Sequence, residues 1–115
     1  MGLLRNLIIR EYGIQTAVRI NPETDVVNTS PVRVLSNNPN RLSWVIVNLS
    51  GSDIWLGFDR EVSSTKGLFL ASGGSAIATD WRDDFELVGY EVWAIASADN
   101  SPIYVLEVVA TKEIL

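Results

Sequence analysis

The chain contains no cysteine and no histidine. These absences exclude thiol nucleophiles, disulfide bonds, Ser-His catalysis and the usual zinc sites, because each of them needs one of the two residue types. Only oxygen ligands remain for a metal ion. A chain without cysteine is compatible with a reducing or an oxidising compartment, so the composition leaves the location open.

Charged residues are also scarce, at 20% of the chain, and the formal net charge is −5. Because lysine and arginine are scattered, no basic stripe is present to neutralise phosphates, and we expect no nucleic-acid partner. No apolar run approaches the roughly 20 residues that cross a bilayer, so we expect no membrane partner either. With 47% hydrophobic residues in a chain of 115, the composition is that of one globular domain.

Residues 1–12 are predicted to form a short helix or N-terminal arm that precedes a single domain at 13–115. Apolar side chains recur in the arm with a helical period, at Leu3, Leu4, Leu7 and Ile8. Two turns of helix are marginal alone, so this apolar stripe needs a surface to pack against. That surface is either the chain's own domain or a neighbouring subunit or partner, and the sequence leaves both open.

The remainder is rich in strand formers and has turn signals at regular spacing, which is typical of small all-β folds. We predict an antiparallel β-sandwich or jelly roll of about eight to nine short strands. The predicted strands cover 14–20, 31–35, 42–49, 54–58, 67–71, 75–79, 87–88, 91–97 and 103–110.

The stretch from Leu42 to Leu49 is apolar at both phases of the strand alternation, so we predict a central strand covered on both sides. The turn residues 48–53 then predict a reversal, with Ile54–Phe58 returning antiparallel to the first strand. The pair Gly73-Gly74 predicts a second tight hairpin, between 67–71 and 75–79.

Four tryptophans are many for a chain of this size. Trp44 and Trp93 lie within apolar runs and are predicted to be core residues. Trp55 alternates against Ile54 and Leu56, and Trp81 lies in an acidic loop, so these two are the better candidates for exposure. An exposed tryptophan either stacks on a sugar ring or anchors a contact with another protein, and protein contact is the commoner use.

Acidic residues cluster after the predicted strand 75–79, at Asp80, Asp83, Asp84 and Glu86. Carboxylates are calcium ligands, but this spacing matches no EF-hand loop, and a solvated loop with Arg82 as a counter-charge is the favoured interpretation. We therefore predict no metal, no cofactor and no catalytic residue. The protein is expected not to be an enzyme.

Four segments together resemble a known family. They contain an Arg-led strand ending in Asn-Leu-Ser (40–50), the strand Ile-Trp-Leu-Gly-Phe (54–58), Gly-Leu-Phe-Leu followed by Gly-Gly (67–74), and Val-Trp-Ala-Ile (92–95). The combination resembles small β-sandwich proteins encoded beside the capsid genes of tailed phages. It covers about residues 40 to 108 and leaves the first 39 unmatched.

The resemblance implies a structural virion component, a capsid decoration or cement protein that binds the major capsid protein or other virion proteins. It carries over no catalytic residue. Because capsid surfaces present local threefold axes, it also favours a homotrimer. The alternative is a carbohydrate-binding module whose partners are glycans. The residues expected to make contacts are Leu3, Leu4, Leu7, Ile8, Trp55 and Trp81.

Overall fold

The computed structural model describes residues 14–113. Within them the chain forms nine strands: Ile14–Ile20 (β1), Val26–Val27 (β2), Val32–Leu35 (β3), Arg41–Asn48 (β4), Ile54–Gly57 (β5), Leu68–Leu70 (β6), Ala76–Asp80 (β7), Val92–Ala96 (β8) and Ser101–Glu113 (β9). A helical turn, Trp81–Asp84 (α1), and a 3₁₀ helix, Phe85–Gly89, lie between β7 and β8. The arm predicted at 1–12 lies outside the described residues.

The strands form two antiparallel sheets, which confirms the predicted all-β sandwich class. One sheet has the order β1-β9-β4-β7, with β2 also paired to β9, and the other has the order β3-β8-β5-β6. β9, at 13 residues, pairs with β1, β2 and β4, and it therefore connects most strands of the larger sheet. We refer to these as the five-stranded and the four-stranded sheet.

The hydrophobic core lies between the two sheets. Its members alternate with less buried residues along β4, β5, β8 and β9, as expected for strands with one face turned to the core. They include Trp44 and Ile46 of β4 in the five-stranded sheet and Leu56 and Val92 in the four-stranded sheet. Trp44 is therefore a core residue, as predicted.

Two predicted hairpins are instead crossings between the sheets. β4 belongs to the five-stranded sheet and β5 to the four-stranded one, so 49–53 carries the chain across the sandwich. The segment with Gly73 and Gly74 likewise joins β6 of one sheet to β7 of the other, although both glycines have the positive φ of a tight turn, at 83° and 99°. The predictions were wrong because turn residues signal a change of direction and not the sheet that the next strand joins.

Buried Asn48 fixes both crossings. Its Nδ2 donates hydrogen bonds to the carbonyls of Ser52 (2.7 Å) and Leu70 (3.0 Å), and its Oδ1 accepts one from the Ser50 hydroxyl (2.6 Å). The backbone N–H of Gly74 also donates to the Asn48 carbonyl at 2.8 Å. One side chain therefore satisfies polar groups of both connections where they leave the sheets.

β4 is an interior strand, between β9 and β7, as predicted. Its two sides are not equally covered, however: Trp44 and Ile46 are buried, whereas Val45 and Val47 are only half-buried. Leu49, predicted to end the strand, lies beyond it and is exposed. The prediction of full cover on both sides was wrong because the second apolar side of β4 belongs to the outer surface of the sandwich.

Two smaller differences concern weak patterns. The predicted strand at 87–88 lies within the 3₁₀ helix. The short strand β2 was not predicted, because two residues are too few to show an alternation.

Candidate functional site

The outer side of the five-stranded sheet carries a continuous set of apolar residues. We call it the aliphatic face and define it by Val18, Ile20, Val45, Val47, Tyr104, Leu106 and Val108. These residues alternate with core residues along β4 and β9, so their side chains leave the sheet on the solvent side.

The strand register makes the aliphatic face continuous. Leu106 lies between Ile20 of β1 and Val45 of β4, and Tyr104 is opposite Val47. Beyond β4 the face continues over two small residues of β7, Ala76 and Ala78. Directly opposite side chains in antiparallel strands are about 5 Å apart, so these residues form one surface.

No member of the aliphatic face is charged, and its border on one side is polar. Ser43 and Asp80 are opposite one another there, on β4 and β7. Ile20 is 57% exposed, and Val18 and Tyr104 are also exposed. A contiguous apolar patch with a polar border marks a protein contact more often than a sugar or anion site, because it offers area and few hydrogen-bonding groups.

The outer side of the four-stranded sheet carries aromatic residues. We call it the aromatic face and define it by Trp55, Phe69, Trp93 and Ile95. The rings of Trp55 and Phe69 are 5.8 Å apart between centroids and tilted by 47°. Arg60 lies over the ring of Trp93, with its guanidinium carbon 5.8 Å from the centroid. Phe69 is exposed, whereas both tryptophans are half-buried.

A third feature is a pocket of about 600 Å³ at one end of the sandwich. We call it the Trp81 pocket, and its lining is Asn37, Pro39, Arg41, Leu42, Trp81, Glu86, Val88, Gly89 and Tyr90. Trp81 begins α1, directly after β7, and is 40% exposed, while Tyr90 follows the 3₁₀ helix and is 48% exposed. The guanidinium carbon of Arg82 lies 5.5 Å from the centroid of the Trp81 ring.

Buried Arg41 connects the segments that line the pocket through hydrogen bonds of its side chain. Its Nε donates to Glu107 Oε2 at 2.6 Å, and both side chains are almost fully buried. Nη1 donates to the carbonyls of Val88 (3.3 Å) and Tyr90 (3.2 Å), and Nη2 donates to Ser36 (2.6 Å). The ion pair therefore joins β4 and β9 to the 3₁₀ helix and to the loop before β4.

The loop before β4 and the 3₁₀ helix, which form two sides of the pocket, approach each other closely at Gly89. A Cβ atom added there would lie 2.8 Å from the Asn38 carbonyl oxygen, which is shorter than real contacts allow. The Asn38 N–H donates to the Gly89 carbonyl at 2.8 Å. Residue 89 must therefore be small for the loop before β4 to contact the 3₁₀ helix.

The residues predicted to make contacts are on different surfaces. Trp55 belongs to the aromatic face and Trp81 to the pocket, so the structure does not bring them together. Leu3, Leu4, Leu7 and Ile8 lie outside the described residues. Trp93, predicted as a core residue, instead lies half-buried on the aromatic face.

Two features were missed by the sequence reasoning. The aliphatic face had a signal, because β9 is apolar at both phases of its alternation from Ile103 to Leu106, as β4 is from Trp44 to Val47. A strand apolar on both sides must be covered on both sides or expose an apolar surface. Tyr90 had no comparable signal, since its place in the pocket depends on the 3₁₀ helix.

The predicted acidic loop is partly helical, and Asp80 ends β7. Asp80 Oδ1 accepts a hydrogen bond from the backbone N–H of Arg82 at 2.8 Å, a local contact that begins α1. Among the described residues no group of three or more His, Cys, Asp or Glu side chains is placed to hold a metal ion. Over the same part of the chain, none of the helices has the length and apolar character needed to cross a membrane.

The chain was compared with protein-family models, curated proteins and solved structures. None of them matches it.

Proposed function

We propose that the protein is a structural component of a virus particle, a capsid-associated decoration or cement protein bound to the shell through protein–protein contacts. Its location is the virion, and its partner is the major capsid protein or another virion protein. The aliphatic face is the observation that carries this proposal, because an exposed apolar surface of this kind is typical of a contact with another protein.

The physical reason is the cost of leaving such a surface in water. Burying apolar area stabilises a complex by about 25 cal/mol per Å² before the costs of association are subtracted. The aliphatic face has no charge to desolvate, so none of this gain is lost to unpaired ions. It lies on the outer side of a sheet and none of its residues lines the pocket, so it suits another protein better than a small ligand, which needs a concave site.

The family resemblance of the segments within residues 40–108 supports a capsid protein as the partner. It favours a capsid shell over other proteins. The trimer remains a prediction of the same resemblance, with residues 1–10 taking part in its contacts. Light scattering on the full chain and on a variant lacking residues 1–10 tests it: a trimer that persists without them would make the segment a local cover for its own domain.

Sedimentation with capsid shells tests the contact itself. Empty shells of the virus whose genome encodes this chain should retain the purified protein, and Ile20→Glu should reduce retention at least tenfold because it buries a carboxylate in an apolar contact. Leu68→Glu is the control, since Leu68 is also an exposed aliphatic residue, at 46% against 57% for Ile20, and it lies on β6 of the four-stranded sheet. Equal retention of both variants would contradict the assignment of this face.

Carbohydrate binding is the second candidate, and the aromatic face favours it. Trp55 and Phe69 are neighbours on the outer side of a sheet, and the exposed ring of Phe69 can stack on a sugar ring. A glycan array and intrinsic tryptophan fluorescence test this directly. Saturable binding that is lost in Phe69→Ala, together with no retention on shells, would replace the capsid proposal.

A further inference from the structure

The Trp81 pocket combines apolar walls, two exposed aromatic rings and one carboxylate. Leu42, Val88 and Pro39 supply apolar surface, and Trp81 and Tyr90 supply the rings. At about 600 Å³ the pocket has the size of sites that enclose a small ligand or a long side chain. This composition restricts the chemistry of what enters.

The positive charge within the pocket is not available to a ligand. Arg41 is buried, its charge is paired with Glu107, and its nitrogens donate four hydrogen bonds to the protein. The carboxylate in the lining is different, because Glu86 is exposed and forms no ion pair with any of the described residues. Among the residues of the lining, the charge available to a ligand is therefore the carboxylate of Glu86.

The aromatic rings favour a ligand of positive charge. A cation within about 6 Å of a ring centroid is attracted by the electron density of the ring face. Trp81 already shows this contact with the guanidinium of Arg82, at 5.5 Å. Tyr90, which is 48% exposed, adds a second ring at the same pocket.

We propose that the Trp81 pocket binds a protonated amine or guanidinium group on an aliphatic stem, that is, a lysine or arginine side chain of a partner protein. The cation lies against Glu86 and the ring of Tyr90, and the stem lies on Leu42 and Val88. This inference does not rest on the capsid proposal, because the pocket and the aliphatic face share no residue.

A neutral sugar fits the lining less well. Asn37 and Glu86 are exposed polar side chains of the pocket, together with the Tyr90 hydroxyl, and a sugar ring presents more hydroxyl groups than these can pair. A methyl glycoside is therefore the competing probe in the test.

The experiment follows the full-length protein by NMR during titration with N-acetyl-lysine amide and N-acetyl-arginine amide. The expected result is a saturable shift of the Gly89 amide and the Trp81 indole, weakened by salt. The same lysine derivative acetylated on its side-chain nitrogen has the stem without the charge, and it should bind at least about threefold more weakly. Equal binding of the neutral analogue, saturation by a methyl glycoside instead, or no shift with either cation would overturn the proposal.

Variants distinguish binding of the cation in the pocket from its general attraction to the negatively charged chain. Glu86→Gln should weaken binding of the cationic probes about threefold or more, and Tyr90→Leu should do the same through loss of the ring. Glu61→Gln is the matched control, because it removes an equal charge from an exposed residue outside the pocket lining. If Glu61→Gln weakens binding as much as Glu86→Gln, only the net charge acts and the pocket is not the site.

Discussion

The buried ion pair of Arg41 and Glu107 gives the sharpest stability prediction. Glu107→Gln keeps an acceptor for Arg41 Nε but leaves the guanidinium uncompensated in a site where both side chains are almost fully buried. Removing one partner of a buried pair costs about 3–5 kcal/mol, because the remaining charge stays desolvated. Since a domain of this size is stable by about 5–15 kcal/mol, the variant should fold but unfold at clearly lower denaturant.

The double variant Arg41→Met/Glu107→Leu distinguishes charge from packing. With neither charge present the desolvation cost disappears, so the double variant should lose about 2–3 kcal/mol less than the sum of the single ones. Three carbonyls, of Ser36, Val88 and Tyr90, lose their donor in this variant. Its stability should therefore stay below that of the original chain.

Urea unfolding followed by tryptophan fluorescence measures all of these free energies. Glu61→Gln is the control, because the Glu61–Lys66 pair spans 3.2 Å between two exposed side chains and should contribute less than about 1 kcal/mol. The reasoning is refuted if Glu107→Gln costs no more than Glu61→Gln. Faster hydrogen exchange at Gly89 in Glu107→Gln should accompany the loss, since Arg41 also holds the carbonyls on either side of that residue.

Three further predictions test the fold. Ile46→Ala should lower the free energy of unfolding by about 2–5 kcal/mol and Val45→Ala by about 1 kcal/mol, because only the first side chain faces the core; equal losses in urea unfolding would contradict the assignment of the two sides of β4. Asn48→Ala should cost about 2–4 kcal/mol by the same assay, since it removes the side-chain donor to the carbonyls of Leu70 and Ala71 and an acceptor of the Ser50 hydroxyl. The N–H and hydroxyl of Thr29 donate to Asp99 and hold the pKa of that carboxyl below its ordinary value. The contribution of Asp99 to stability is therefore present above the unfolded-state pKa and is lost as the pH falls through the folded-state pKa. An NMR titration measures the pKa of the Asp99 carboxyl, with Asp99→Asn as the control.

The fold class was predictable because alternation and turn residues act locally. β4, β5 and β8 were each predicted to within about two residues at either end, which is the usual precision for strongly patterned strands. Which strands pair was not predictable in the same way. Asn48 determines that the chain crosses the sandwich after β4 through bonds to Leu70 and Ser52, and Leu70 is distant in sequence.

The candidate surfaces show the same division. The aliphatic face is encoded in the double apolar character of β4 and β9. For β4 this character predicted cover on both sides, whereas its outer side is only half-buried. Trp81 was singled out correctly as an exposed ring, but its pocket joins residues of the loop before β4 with others of the 3₁₀ helix. No local pattern records that contact, because the two segments are distant in sequence and are joined by Arg41 and by the Asn38–Gly89 backbone hydrogen bond.

A cryo-electron microscopy map of virus particles assembled with and without this protein tests the central claim most directly. The account predicts additional density at regular positions on the shell, with the aliphatic face, identified by Ile20, Val45 and Leu106, against the capsid surface. Particles assembled with Ile20→Glu should lack that density, and those with Leu68→Glu should keep it. Identical maps with and without the protein, or a bound protein whose aliphatic face points to solvent, would contradict the account.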